Sequence, residues 1–159
     1  KDAKLKLPEK PIVLDQIQCR YEPHITLLPA GVTVEYLNSD TVSHNVHTFA
    51  TKNDPFNRTI PAGSKDSQKL DKTEAITVKC DIHPWMQAYM FITDTPYAAT
   101  TGPDRSFKID GLPAGTYKVS VWHEKLGKAK GEVTIAEDGS SEAIEIKMSE
   151  KKSGGRRRR

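Results

Sequence analysis

The chain has 159 residues, of which 36% are hydrophobic and 28% charged, enough for one medium domain or two small ones. No run approaches the roughly 20 apolar residues of a membrane-spanning helix. The formal charge is +3 and the pI about 8.8, but Arg156–Arg159 supply four of the positive charges, so the charge is −1 without them. The basic balance therefore describes the tail and gives no reason to expect nucleic-acid binding. Ten glycines and ten prolines point to many turns and hence to β structure. No secretory signal is visible from Lys1, which leaves a mature exported chain or a cytosolic one as the expectation.

Residues 1–10 are rich in Lys and Pro without a period and read as a solvated N-terminal arm. Ile12-Val13-Leu14 opens the first strand. Tyr21–Leu28 and Val32–Leu37 are rich in β-branched and aromatic residues and flank the turn signal Pro29-Ala30-Gly31. Alternation places Val32, Val34 and Tyr36 on one face. Asn38-Ser39-Asp40 ends that strand, His44 falls in a loop, and Val46 and Phe49 begin the next strand. Thr51–Ser67 reads as a long polar connection with a short strand at Thr59-Ile60, and Lys69–Lys72 as another strand edge. Asn57-Arg58-Thr59 fits a glycosylation acceptor, a pattern short enough to arise by chance. Ala75–Lys79 is a strand that ends at Cys80, and Gln87–Thr93 is the next, with Met90 in the core.

Between those two strands, Cys80, His83 and Met86 stand at C-x2-H-x2-M spacing. A thiolate, an imidazole and a thioether on one short loop suit copper, and a trigonal site of one Cys and two His with a weak axial Met needs a second His. Ser43-His44-Asn45-Val46-His47 offers it, with His44 and His47 in competition. The two cysteines also permit a Cys19–Cys80 disulfide, which would consume the thiolate.

These paired motifs resemble the cupredoxins, the small blue-copper electron carriers, and most closely their amicyanin-like branch. The resemblance spans roughly residues 11–94. It implies an all-β Greek-key sandwich, one type 1 copper, and His44, Cys80, His83 and Met86 as ligands. His44 is favoured over His47 because the family's ligand directly precedes Asn-Val. It also implies that Asn45 bonds across to the Cys loop and helps hold the thiolate. Matching the Pro29-Ala30-Gly31 turn to that of the family puts Cys19 near the copper end. There it is a free thiol, a partner contact, or part of a second metal site with His24 or His47. Pro84 and Trp85, beside His83, are expected to form the partner surface.

A second unit is expected over 97–148. Phe107–Ile109, Tyr117–Trp122, Gly131–Ile135 and Ala143–Ile146 read as its strands, with turns at Gly111–Gly115 and Glu137–Gly139. The run Asp104–Phe107 followed by Gly111-Leu112-Pro113-Ala114-Gly115-Thr116-Tyr117-Lys118-Val119 resembles the carboxypeptidase regulatory-like family. That likeness implies a second small, transthyretin-like β-sandwich without peptidase chemistry. No nucleophile-base-orienter set and no zincin motif is present here. Residues 149–159 read as a basic disordered tail.

The expected function is single-electron transfer between exported redox partners in a periplasmic or other extracytoplasmic compartment. The partner would be a redox protein such as a c-type cytochrome or a membrane electron-transfer complex, with peripheral membrane association open and no small-molecule substrate. The chain is not expected to be an enzyme, because no second set of His ligands with an open position is evident. A structural or docking subunit of a larger respiratory or photosynthetic complex is the alternative.

Overall fold

The computed structural model describes residues 7–149, so residues 1–6 of the expected arm and 150–159 of the expected tail lie outside it. The chain divides into two compact units, residues 1–108 and 109–159. Among the described residues every regular element is a strand.

Among the described residues, the first unit holds nine strands in two sheets. One is built from β1 (Ile12–Ile17), β2 (Arg20–Glu22), β4 (Val32–Asn38) and β7 (Lys65–Leu70), in the order β2-β1-β4-β7. The other contains β3 (Ile25–Pro29), β5 (His44–Phe49), β6 (Phe56–Ile60), β8 (Glu74–Lys79) and β9 (Gln87–Thr93), in the order β3-β9-β8-β5-β6. β1 runs parallel to β4 and β3 parallel to β9, while the other pairs are antiparallel.

Period-2 alternation explains the core. In β4, Val32, Val34 and Tyr36 are buried and Thr33 is exposed. In β9, Ala88, Met90 and Ile92 point inward. Leu14, Leu28, Leu70 and Val78 join them, so both sheets feed one cluster. Each fully buried Val or Leu contributes about 1.5–3 kcal/mol, and together they offset the entropy of ordering the strands.

Several local expectations change. His44 is the first residue of β5 rather than a loop residue, because its backbone pairs with Ile60 of β6. Pro23, which cannot donate to a ladder, separates β2 from β3 where one continuous strand was expected. The connection over Thr51–Ser67 carries more strand than expected: the short strand at Thr59-Ile60 extends to Phe56 as β6, and β7 begins at Lys65.

The second unit contains β10 (Gly115–His123) and β11 (Gly127–Ile135), one antiparallel hairpin. The expected strands at Phe107–Ile109 and Ala143–Ile146 are not strands. Ile144 and Ile146 nevertheless lie against Gly131 of β11: a Cβ there would stand 2.8 Å from Ile146 Cδ1 and 3.9 Å from Ile144 Cδ1. That segment therefore packs by side chains without joining the ladder. Among the described residues of this unit the regular structure is a two-stranded ribbon, not the expected small sandwich.

Candidate metal centre

The strand β8 delivers Cys80, and the loop after it is closed by its own backbone. The Cys80 amide donates to the Met86 carbonyl (3.2 Å), and the Met86 amide donates to the His83 carbonyl (2.9 Å). These bonds turn the chain back at each end and bring three spaced side chains to one place. Cys80 and Met86 are buried, while His83 is half-buried. The Cys80 sulfur accepts the backbone amides of Asn45 and His83, each at 3.3 Å. Two N–H groups aimed at one sulfur suit the acceptor role of a thiolate.

His44 reaches this loop from β5, and its side chain is wholly buried. Its Nδ1 stands 2.9 Å from Nδ1 of His83, which in turn lies 3.8 Å from the Cys80 sulfur. The donor atoms of His44, Cys80 and His83 all lie within 4.8 Å of one another, a group able to hold a metal ion. Two imidazole nitrogens and a sulfur at these separations fit one small, borderline-soft ion, and buried Met86 adds a thioether in the same loop.

Asn45 ties the two segments together. Its amide side chain accepts from the Asp81 amide (3.2 Å) and donates to Asn57 Oδ1 (2.8 Å). The buried Tyr21 hydroxyl donates to its backbone carbonyl. Burial, with the nearby Cys80, Asp81 and Tyr36 groups adding to it, pushes the Tyr21 hydroxyl far above the usual phenol range, so it stays a neutral donor.

On its other ring edge, His44 Nε2 lies 2.7 Å from Asp40 Oδ2. Asp40 also accepts the backbone amides of Gln18 (2.6 Å, Oδ1) and Cys19 (2.8 Å, Oδ2). Burial raises the Asp40 carboxyl, but the Cys19 amide, the His44 ring and the Gln18 amide outweigh it and hold it below its ordinary value.

Cys19 is half-buried and not disulfide-bonded, as is the buried Cys80, so the Cys19–Cys80 disulfide is absent. Cys19 is grouped with Asp40 and His44, not with His24 or His47. His47 stands an odd number of residues from His44 in β5, so alternation turns it to the outer face. There it stacks on Phe49 (4.2 Å between ring centres) and contacts the Asp81 carboxylate at 3.1 Å. The His47 hydrogen bond holds the Asp81 carboxyl below its ordinary value. His24 meets Tyr89 edge-on at 5.6 Å. In the second unit, His123 Nδ1 accepts the Lys125 and Leu126 amides of the hairpin turn.

Around the half-buried His83, Pro84 and Ile82 are exposed and Trp85 is 67% exposed. The Trp85 ring lies 5.1 Å from that of His83, and its indole N–H donates to the Cys19 carbonyl (3.1 Å).

No family model matches the chain, and no curated protein matches its sequence. Among solved structures, it is similar to the copper-containing nitrite reductase from Thermus scotoductus SA-01. The TM-score is 0.51 and the identity 20%, over 55% of this chain but only 23% of that one. An amicyanin from Paracoccus versutus is similar with a TM-score of 0.48 and 20% identity, over 55% of this chain and 85% of that one. So is a purple cupredoxin from Nitrosopumilus maritimus, with a TM-score of 0.46 and 19% identity over 52% and 99%. The two-sheet unit shares the β-sandwich fold of these copper proteins. At these identities the likeness is one of fold.

Within this sandwich the spacing argument pointed to the loop residues and left His44 and His47 in competition, a choice that the resemblance made for His44. It missed Asp40 and Tyr21. Asp40 read only as the end of a strand, and Tyr21 only as an apolar strand residue. Their contacts cross 4 and 24 positions through turns and sheet pairing, and no local motif marks them.

Proposed function

We propose that the cupredoxin unit is an electron carrier with one type 1 copper. The observation that carries this reading is the convergence of His44, Cys80 and His83 within 4.8 Å on a loop that closes on buried Met86. His44 Nδ1, His83 Nδ1, the Cys80 thiolate and the Met86 thioether would hold the ion. Bound copper would supply a one-electron Cu(II)/Cu(I) couple.

The protein's own part is to keep the donors in one arrangement. Cys80 directly follows β8 and His44 begins β5, and these two strands pair with each other. The two amides on the sulfur and the Asn45–Asp81 bond hold the thiolate in place. Electrons would pass through His83, whose exposed neighbours Ile82, Pro84 and Trp85 make an apolar docking surface suited to brief encounters. A redox protein such as a c-type cytochrome, in an extracytoplasmic compartment, is the proposed partner.

A second reading, as a docking subunit of a membrane electron-transfer complex, draws on the ribbon β10–β11. Its apolar residues Tyr117, Val119, Val121, Trp122 and Val133 are half-buried and Ile135 is buried, so only part of that face is open to another protein.

Copper loading of the purified chain tests the first reading. One copper per chain with an intense thiolate-to-copper absorption band, lost in Cys80→Ser, is the expected result. A colourless loaded protein would overturn it.

A further inference from the structure

We propose that Asp40 is the positioning residue of this centre. Its carboxylate, fixed by the Gln18–Cys19 turn, holds the Nε2–H of His44, presents Nδ1 as a bare donor, and biases the couple toward Cu(II). The inference rests on the carrier reading above.

The argument begins with a turn that looks wrong for its sequence. Gln18 and Cys19 are the two-residue loop between Ile17 and Arg20, which pair across β1 and β2. Both have left-handed backbones, with φ of 52° and 53°. Two-residue hairpins of this kind favour Asn-Gly or Gly-Gly, and side chains such as Gln and Cys are strained there. Asp40 accounts for the turn: its two carboxylate oxygens accept the amides of Gln18 and Cys19. On the other side of the same turn, Trp85 donates to the Cys19 carbonyl.

That clamp leaves one direction for the remaining acceptor capacity. Oδ2 faces His44 Nε2 at 2.7 Å, and the Asp40 side chain is only 14% exposed. An ionised carboxylate only accepts hydrogen bonds, so Nε2 carries the hydrogen. In the neutral ring, Nδ1 is then the lone pair, and Nδ1 is the atom that faces His83 at 2.9 Å. A carboxylate behind a ligating imidazole raises its basicity and fixes its orientation. The added negative charge favours the more positive metal state. The cluster of Cys19, Asp40 and His44 is thus a support for the metal centre rather than a second metal site.

The experiment compares wild type, Asp40→Asn and Cys19→Gly after copper loading, by metal content, visible spectrum and redox titration. Asp40→Asn should keep the thiolate-to-copper band. At a fixed applied potential its Cu(II)/Cu(I) ratio should fall about tenfold, which is a rise of ~59 mV in a one-electron couple. Cys19→Gly should leave the single equivalent of copper unchanged, because the amide that meets Asp40 and the carbonyl that meets Trp85 are both backbone groups. An unchanged potential in coloured Asp40→Asn would overturn the proposal. A second equivalent of copper in wild type, lost in Cys19→Gly, would also overturn it, by making Asp40 and Cys19 ligands. Nitrogen NMR of the metal-free wild type reads the His44 tautomer even if Asp40→Asn fails to fold. Hydrogen on Nε2 supports the proposal and hydrogen on Nδ1 overturns it. An uncoloured wild type with the Nε2 tautomer would sink the carrier reading while leaving the role of Asp40 toward His44 standing.

Discussion

The two units of this chain use the same strand pattern with different results. β4 alternates buried and exposed residues, and Val34 and Tyr36 are fully enclosed. β10 and β11 alternate as regularly, yet their inward positions are mostly half-buried. Alternation chooses which side chains share a face, but only a second layer removes that face from water. The metal centre belongs to the unit with two layers, where strand ends are held well enough to aim donor atoms at one another.

The sharpest way to break this contrast is to truncate one apolar side chain in each unit. Leu14→Ala should lower the stability of the sandwich by about 2–5 kcal/mol, the range for a fully buried leucine. Val119→Ala, at a half-buried site in β10, should cost under about 1 kcal/mol. Urea unfolding can follow both, because Trp85 and Trp122 report on the first and second unit respectively, each in a variant with the other changed to Phe. Equal losses would mean that the ribbon is as well enclosed as the sandwich.

A second comparison concerns the two tryptophans, exposed Trp85 and half-buried Trp122. Trp85→Asp should slow electron exchange with a c-type cytochrome about tenfold by stopped-flow while the copper band persists, whereas Trp122→Asp should leave the rate unchanged. The reverse result would move the docking surface to the ribbon.

A third concerns acid. In the sandwich, burial raises the Glu74 carboxyl, but the amides of Asn53 and Thr51 and their side chains overcome this and bring it down to about 2. Because the folded value is depressed, the stabilisation is present above the ordinary carboxyl value and is lost as pH falls through about 2. After solvent screening it amounts to about 1 kcal/mol. Wild type should lose that much more stability than Glu74→Gln between pH 5 and pH 2 in urea titrations. Parallel curves would show that the carboxylate does not anchor residues 51–53.

The smallest effect is expected at Gly131. An added Cβ would press on the flexible end of Ile146. Gly131→Ala should speed amide exchange over residues 143–147 with little change in the unfolding midpoint. Unchanged exchange would show that this segment does not depend on its seat against β11.

Much of the sandwich was legible because its signals are local. β-branched runs with turn residues between them located most strands, and the face of β4 followed from alternation. Pairing was less legible. His44 read as a loop residue because only Ile60, sixteen positions on, makes it part of a strand. The second unit read as a small sandwich because Phe107–Ile109 and Ala143–Ile146 have strand composition, but composition does not supply a ladder partner.

By itself, the sequence determined what lies within one loop or along one face of a strand: Cys80, His83 and Met86 at fixed spacing, and Val32, Val34 and Tyr36 on one face of β4. Tertiary structure alone decided what crosses between segments. It set the two His rings together across 39 positions, and it set the Cys19 turn on Asp40 across 21. Those contacts depend on sheet register and on which turn folds against which strand end. Both are settled by burial of the whole core, so no short stretch of residues carries them.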